Sequence, residues 1–263
     1  MALSDHELAT SLARGAGEVL LAVRAAAPPG LDTAELKAQG DRSAHEFLVR
    51  ELAHVRPDDA VLSEEGKDDP ARLAAQRVWI VDPLDGTREF AERSEDGTWR
   101  DDWAVHVALW ERGRGLVAGA VALPARGQVL ATGPDAPRAA SSSARPWRVA
   151  VSRSRPPEIV TRLAERADVE LVAMGSAGVK AMSVVTGEAD VYLHGGGQYE
   201  WDSAAPVAVA NAAGLVTTRL DGSALAYNQP DPWLPDLLVC RPDDHESLAA
   251  LVHELLSTTG DDE

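Results

Sequence analysis

The sequence predicts an α/β protein in which an α+β N-terminal half precedes an α/β C-terminal half. Two observations lead to this fold class. The chain opens with long segments whose apolar residues recur at helical spacing, and short apolar runs separated by turn residues follow them. Beyond residue 146, strand-like and helix-like segments alternate, which is the pattern of α/β proteins. The chain has 263 residues, 45% of them hydrophobic, and can therefore bury a sizeable core.

The N-terminal half begins with two predicted helices. Ser4 and Glu7 form a capping box, and the apolar periodicity after it predicts a helix that stops at Pro28-Pro29-Gly30. A second helix is expected from near Asp41 to Val55. Strands are predicted near residues 78–81, 103–110, 115–123 and 128–132. A hairpin-like turn between the second and third of these strands makes the sheet antiparallel in part.

The C-terminal half shows an alternating pattern. Strands are predicted at 147–151, 169–173, 189–193 and 215–219, and helices at 157–167, 177–186 and 203–213. Gly214 follows the last of these helices, where a helix C-terminus favours glycine. Gly195-Gly196-Gly197 is interpreted as a flexible loop, and residues 258–263 as a disordered tail.

Residues 134–146 contain few large apolar side chains and are the best candidate for a linker. We therefore divide the chain into an N-terminal α+β domain of residues 1–140 and a C-terminal α/β domain of residues 141–263. The first carries most of the candidate metal ligands discussed below, so we expect it to be the metal-site domain.

The charge of the chain limits its partners. Its formal net charge is −17, with 42 acidic and 25 lysine and arginine residues. A surface that binds nucleic acid or an anionic membrane needs a basic patch, so we expect neither partner. A phosphorylated small molecule would also be repelled, unless bound cations and a few placed arginine and lysine side chains reverse the charge locally.

The sequence also predicts where the protein works. Cys240 is the single cysteine, so no intrachain disulfide can form, and its apolar neighbours predict a buried strand thiol rather than a catalytic one. The N-terminus lacks the basic and apolar regions of a signal peptide. No apolar run approaches the length of a membrane-spanning helix. We therefore expect a cytoplasmic protein.

The most informative segment follows the predicted strand at 78–81. It reads Asp82-Pro83-Leu84-Asp85-Gly86-Thr87. Pro83 and Gly86 end the regular strand, so both carboxylates and the Leu84 carbonyl can point the same way. Such a group of oxygen atoms suits a hard divalent cation. On these residues alone an Asx-rich turn without a metal stays open as the alternative.

Two further acidic segments complete a pattern. Glu64 and Glu65 stand at the end of a short apolar stretch, and Glu200-Trp201-Asp202-Ser203-Ala204-Ala205-Pro206 lies downstream. The three segments together resemble the inositol monophosphatase superfamily of metal-dependent, lithium-sensitive phosphatases, in order and in spacing, over nearly the whole chain. The resemblance implies a layered αβαβα sandwich of the inositol monophosphatase and fructose-1,6-bisphosphatase type.

Three segments resemble one branch of that superfamily, the 3'(2'),5'-bisphosphate nucleotidases of the CysQ type, in an actinobacterial form. These segments are Thr87-Arg88-Glu89-Phe90, Ser152-Arg153-Ser154-Arg155 and Gly175-Ser176-Ala177-Gly178-Val179-Lys180. In the second of them Arg155 replaces the histidine that is usual in the branch.

The resemblance implies a site for two or three Mg²⁺ ions. The implied metal ligands are Glu64, Asp82, the Leu84 carbonyl, Asp85 and Asp202. Asp82 would bridge two ions, and Glu64 would also serve catalysis. Paired cations can activate a water and stabilise the leaving oxygen of a phosphate ester. Asp202 can also cap a helix, which is compatible with a metal role, and Pro206 is expected in the first turn of that helix.

Thr87 and Asp41 are the other candidate catalytic residues. The Thr87 hydroxyl could orient a water, and the amides of Gly86 and Thr87 could cradle phosphate oxygens at the start of a short helix. A plain N-cap threonine is the alternative. In the family an aspartate that opens the second helix helps to activate water, and Asp41 has that place. The preceding segment from Lys37 is shorter here, which puts a third metal in doubt, and a solvated N-cap stays open for Asp41.

A second anion on the substrate needs further basic groups. Arg153, Arg155 and Lys180 are candidates for contact with a second phosphate or the ribose. Ser154, Gly175, Gly86, Thr87 and Asp202 are further candidates for substrate contact. An arginine can bind phosphate in bidentate fashion. Solvated surface charge is the alternative for Arg155 and Lys180. Trp201 is expected to be a core ring rather than a platform for the substrate.

Three functions remain open at this point. The first is an Mg²⁺-dependent phosphatase that removes the 3'-phosphate of 3'-phosphoadenosine 5'-phosphate, giving AMP and phosphate, as sulfate assimilation requires. The second is an inositol-1-phosphate or fructose-1,6-bisphosphate phosphatase. The third is a non-catalytic acidic module that binds a metal ion or a partner protein. The expected partner is a small phosphate ester, and a homodimer is kept open.

Overall fold

The computed structural model describes residues 3–28, 30–140 and 146–257. Its helices are α1 (Asp5–Ala26), α2 (Thr33–Val55), α3 (Thr87–Phe90), α4 (Glu158–Arg166), α5 (Ala177–Thr186), α6 (Glu200–Ala212) and α7 (Pro242–Ser257). Its strands are β1 (Ala60–Ser63), β2 (Arg77–Asp85), β3 (Ala104–Glu111), β4 (Gly115–Leu123), β5 (Gln128–Ala131), β6 (Trp147–Ser152), β7 (Val169–Met174), β8 (Val191–Tyr199), β9 (Val216–Thr218) and β10 (Trp233–Cys240).

The strands form two five-stranded sheets. The first has the order β1-β2-β3-β4-β5, and the second has the order β7-β6-β8-β10-β9. In the first sheet β1 runs parallel to β2 and the later neighbours are antiparallel, as the hairpin-like turn predicted. In the second sheet β6 is parallel to β7 and β8, whereas β10 is antiparallel to β8 and β9.

The protein has five layers and three apolar cores, and the central core encloses the middle layer of helices. Buried side chains of α1 and α2 pack on one face of the first sheet. The other face of that sheet and one face of the second sheet share a core with α5 and α6. Side chains of α4 and α7 cover the outer face of the second sheet. The outer helices α1, α2, α4 and α7 thus bury one apolar stripe against a sheet, whereas α5 and α6 between the sheets are buried on nearly all sides. The predicted αβαβα sandwich is confirmed.

Local signals located several elements correctly. The capping box at Ser4 is present, because its hydroxyl accepts from the Glu7 N–H and the Glu7 carboxylate accepts from the Ser4 N–H. α5 spans Ala177–Thr186 as predicted. Gly214 follows α6 and has a φ of +87°, a conformation that favours glycine.

The predicted start of the second helix at Asp41 is wrong. α2 begins at Thr33, and the Asp32 carboxylate caps it by accepting from the Ala34 N–H at 3.0 Å. Gly40 lies inside the helix, and glycine is needed there because a Cβ would stand 2.8 Å from the Phe90 ring. The segment before Asp41 is therefore helix, and the short loop assigned to it does not exist.

The interpretation of Gly195-Gly196-Gly197 as a flexible loop is also wrong. All three glycines belong to β8, which runs six residues beyond the predicted 189–193. A Cβ on Gly197 would lie 2.6 Å from Nε1 of the Trp233 indole on β10. Glycine is thus required where a tryptophan ring crosses the strand.

Two elements near the C-terminus were not fully predicted. β10 contains the expected buried thiol of Cys240, whose pKa is raised to about 12 by burial. α7 was not predicted. Residues 134–140 of the predicted linker contain no helix or strand, whereas 141–145 and the tail 258–263 lie outside the described residues. Within the described part of the chain, no helix is long and apolar enough to cross a membrane.

Candidate active site

β2 supplies the first two acidic side chains of the site. Asp82 pairs with His106 on β3, and an irregularity in the ladder precedes the next pair, Asp85 with Ala104. It falls at Pro83, which has no N–H to donate to the ladder. The Leu84 N–H donates to Asp82 Oδ1 at 3.0 Å. Both carboxylates are buried, which is rare for acidic side chains unless they have a partner.

Three carboxylates converge at this point. One oxygen each of Asp82, Asp85 and Asp202 lies within 4.8 Å of the others. Asp202 comes from the first turn of α6, where its Oδ2 accepts from the Tyr199 N–H at 2.6 Å. Oxygen atoms gathered from separate segments are the ligands that hard divalent cations prefer. The residues present therefore fit a metal ion of this kind.

The start of α5 holds Asp85 in place. Asp85 Oδ2 accepts a hydrogen bond from the Ser176 hydroxyl and another from the Gly178 N–H at 2.7 Å. Lys180 is buried one turn further on, and its Nζ donates to the Ser176 carbonyl at 2.6 Å. Burial lowers the pKa of Lys180, and the charge of Asp85 opposes that shift.

His106 completes the site and was missed by the sequence analysis. Its ring is fully buried, with Nε2 3.2 Å from Asp85 Oδ2 and Nδ1 3.0 Å from the Trp201 carbonyl. Burial opposes a charge on the ring, but Asp85 raises the pKa of His106. A Cβ on Gly178 would lie 2.0 Å from His106 Nε2, so that position needs glycine. The signal for it in the sequence is that His106 is the single polar residue in the otherwise apolar stretch 104–109.

The acidic groups titrate differently from one another. Burial raises the pKa of Asp82 well above its usual range, and the charge of Glu64 adds to this effect. Burial and the charge of Asp85 raise the pKa of Asp202 to about 6. Although burial opposes it, His106 holds the pKa of Asp85 below its usual range. Without a cation the acids other than Asp85 therefore bind protons more tightly than usual.

Glu64 lies at the exposed edge of the cluster. Its N–H donates to the Val81 carbonyl at 3.3 Å, which places it beside the end of β2. Loss of water around its carboxyl group and the charges of Asp202 and Asp85 raise the pKa of Glu64 to about 7. Glu64 thus interacts electrostatically with the other acids, although the three convergent carboxylates are those of Asp82, Asp85 and Asp202.

Thr87 begins the short helix α3, as predicted. Its hydroxyl lies 3.1 Å from the Leu84 carbonyl and 3.4 Å from Asp41 Oδ1. Burial and the charge of Glu65 raise the pKa of Asp41 to about 6. Asp41 is therefore neither an N-cap nor remote from the site, since it reaches Thr87 from the interior of α2.

Two predictions about the Asp202 segment need correction. Asp202 is the third residue of α6 rather than its N-cap, because the helix begins at Glu200. Pro206 consequently lies inside the helix and not in its first turn. Trp201 is partly buried against the core and stacks on Tyr199, with ring centroids 4.7 Å apart.

The candidates for a second anion site separate into two groups. Lys180 is 7% exposed, which excludes a solvated surface position, and Gly175 is buried beside it. Ser154 and Arg155 are exposed just beyond the end of β6. The Arg155 N–H donates to the Ser152 hydroxyl at 3.3 Å.

Comparison with known proteins agrees with this arrangement. The inositol monophosphatase family model matches residues 4–257. A Mycobacterium leprae protein named 3'-phosphoadenosine 5'-phosphate phosphatase is 49% identical over 264 residues, which cover 96% of this chain and 95% of that protein.

Two solved structures have the same fold. CysQ from Bacteroides thetaiotaomicron, described as a bacterial member of the inositol monophosphatase family, is 30% identical with a TM-score of 0.70, covering 89% of this chain and 95% of its own. The IMPase of Thermotoga maritima has a TM-score of 0.75 at 20% identity, covering 95% and 97%. With its acidic cluster at the end of β2 and the start of α6, the chain belongs to the inositol monophosphatase family.

Proposed function

We propose that this protein is an Mg²⁺-dependent phosphatase that hydrolyses the 3'-phosphate of 3'-phosphoadenosine 5'-phosphate to AMP and phosphate. The observation that carries the proposal is the convergence of Asp82, Asp85 and Asp202 beside Thr87. The substrate is taken from the name of the Mycobacterium leprae relative, which is about half identical over nearly the whole length.

The acidic residues would hold the metal ions. Asp82, Asp85 and Asp202 supply the central carboxylates, with Glu64 and the Leu84 carbonyl at the edge, and two or three Mg²⁺ ions are proposed. When bound, such ions supply positive charge for the phosphate oxygens and acidify a water. The fit is supported by the raised pKa of Asp202, which follows from burial and from the nearby charge of Asp85, both of which a bound cation would offset.

The chain's own groups would orient the reactants. The Thr87 hydroxyl and the nearby Asp41 carboxylate can hold a water by hydrogen bonds, and Glu64 can accept its proton. A base whose pKa lies near neutrality suits that task, and the pKa of Glu64 is raised to about 7. The amides of Gly86 and Thr87 would bind phosphate oxygens.

The nucleoside and its second phosphate would lie toward the second sheet. Ser154, Arg155, Gly175 and Lys180 are the proposed contacts there, with Asp202 toward the sugar. Arg155 is exposed, so its guanidinium is accessible to a phosphate. Lys180 is buried beside Asp85, so its charge would attract the substrate's phosphate without being exposed to solvent.

Several broader properties belong to the same proposal. The enzyme would act in the cytoplasm on a by-product of sulfate assimilation and would be inhibited by lithium. The divisions 1–140 and 141–263 would be its two domains, and a homodimer would be its assembly. None of these properties is needed for the hydrolytic chemistry itself.

Phosphate release is the direct test. Purified protein is stripped of metal and assayed with 3'-phosphoadenosine 5'-phosphate, inositol 1-phosphate and fructose 1,6-bisphosphate, each with and without Mg²⁺. We expect the highest kcat/KM for the first substrate and no turnover without the metal. Preference for another ester would support the runner-up phosphatases. Absence of turnover with every ester would favour the non-catalytic module.

A further inference from the structure

Three segments of the chain meet next to the acidic cluster through one set of charged groups. Glu89 of α3 lies 3.5 Å from Arg153 at the end of β6. The same arginine pairs with Asp102, a residue that precedes β3. The Gly175 N–H donates to Asp102 Oδ2 at 2.7 Å. Glu89, Arg153 and Gly175 belong to the three segments that resemble the nucleotidases, so those segments are in contact.

Asp102 is the centre of this network. It is 2% exposed, and its two oxygens also accept from Arg100 at 2.9 and 3.0 Å. Although burial opposes it, the hydrogen bond from Arg100 lowers the pKa of Asp102, so the carboxylate stays charged. A buried charge of this kind is stable only while its partners are in place. Asp102 therefore fixes the positions of Arg153 and Gly175.

Glu89 limits the same turn sterically. A Cβ on Gly175 would lie 2.4 Å from Cγ and Cδ of Glu89, so the Gly175 backbone rests directly on that side chain. The next residue, Ser176, has a φ of +55°, which non-glycine residues rarely adopt. Such a conformation persists only where the surroundings determine it. Here the surroundings are Glu89 and Asp102 on one side of the turn.

Ser176 then transmits the position of the turn to Asp85. Its hydroxyl donates to Asp85 Oδ2 and accepts from the Val179 N–H at 3.0 Å. The Gly178 N–H donates to the same carboxylate oxygen. A displacement of Gly175 would therefore move two of the donors that orient Asp85.

We infer that Asp102 and Glu89 are positioning residues for the metal site, acting on Asp85 through Gly175 and Ser176. This assigns Arg153 to the network rather than to the substrate, since its guanidinium faces Asp102 and Glu89. Groups that orient metal ligands commonly change metal affinity roughly 10- to 100-fold when they are altered. The inference rests on the proposed metal-dependent phosphatase function.

The test compares Asp102→Asn with a matched control, Asp190→Asn. Asp190 is also 2% exposed and likewise accepts from two arginines, Arg148 and Arg241, and from a backbone N–H. Metal affinity is measured directly from Mn²⁺ binding by electron paramagnetic resonance, and kcat is measured at saturating Mg²⁺. Urea unfolding reports the stability of each variant.

We expect Asp102→Asn to weaken Mn²⁺ binding roughly 10-fold or more, while Asp190→Asn loses stability but binds Mn²⁺ within twofold of the wild type. Equal Mn²⁺ affinity in both variants would overturn the inference. If Asp102→Asn does not fold, Glu89→Gln, which keeps the packing on Gly175, takes its place under the same criterion. Failure of the proposed function can be distinguished from failure of this inference, because in that case the wild type itself would show no Mg²⁺-dependent phosphate release.

Discussion

Asp202→Asn should stabilise the metal-free protein and abolish its activity. The side chain lies among like charges, and burial together with Asp85 raises its pKa from 3.8 to about 6. Asparagine has the same shape and its oxygen can still accept from the Tyr199 N–H, as Asp202 does at 2.6 Å. The substitution therefore removes the unfavourable charge and keeps the helix contact.

The expected effect follows from the pKa shift. A rise of about two units corresponds to about 3 kcal/mol, because each unit is 1.36 kcal/mol. An aspartate whose pKa is raised by folding binds more protons in the native state, so the stability of the metal-free wild type falls as pH rises from about 4 to about 6. Neighbouring Asp82 can take up a proton instead, which reduces the penalty to about 1–3 kcal/mol.

Urea unfolding in EDTA at pH 8 measures this difference. At pH 8 we expect the free energy of unfolding of Asp202→Asn to be about 1–3 kcal/mol higher than that of the wild type. Near pH 4 we expect the two free energies of unfolding to be nearly equal. Saturating Mg²⁺ should reverse the order, because a ligand that binds the native state stabilises it. A variant that is no more stable than the wild type at pH 8 would refute the idea that the carboxylates are held together against their repulsion.

Three further results are expected. Gly178→Ala would place a Cβ 2.0 Å from His106 Nε2. It should therefore lower the stability measured by thermal unfolding by about 1–3 kcal/mol and reduce kcat. Unchanged stability and kcat would show that His106 can move away freely. Arg155→Ala should lower kcat/KM for 3'-phosphoadenosine 5'-phosphate roughly 10- to 150-fold and for inositol 1-phosphate much less, whereas equal losses would mean that it does not contact the second phosphate. Lithium at millimolar concentration should inhibit phosphate release, and an indifferent enzyme would contradict the family expectation.

The sequence predicted those parts of the fold that depend on local chemistry. The capping box at Ser4, the turn between β3 and β4 and the glycine after α6 each act within a few residues. The errors came from contacts between distant residues. Gly40 resembles a helix breaker until the Phe90 ring that occupies its missing Cβ is known, and Gly197 resembles a loop until Trp233 is placed.

The prediction of the site had the same limit. The acidic residues could be predicted because their order along the chain resembles a family, and the structure brings them together. His106 stands out only as a single polar residue in an apolar strand, and its role could not be predicted because that role depends on the register that sets it opposite Asp82. Pro235 similarly obscured β10, where it lies at an irregularity of the ladder between Leu234 and Asp236.

The difference between Asp85 and the other acids explains how an anionic protein can receive an anionic substrate. Asp85 is kept charged by His106, the Ser176 hydroxyl and the Gly178 N–H, whereas Asp82 and Asp202 hold their protons more tightly than usual. A cation that binds must therefore displace protons from the cluster, and each proton lost adds one negative ligand around it. The positive charge that attracts a phosphate then comes from the ions rather than from the surface, whose net charge of −17 would otherwise repel it.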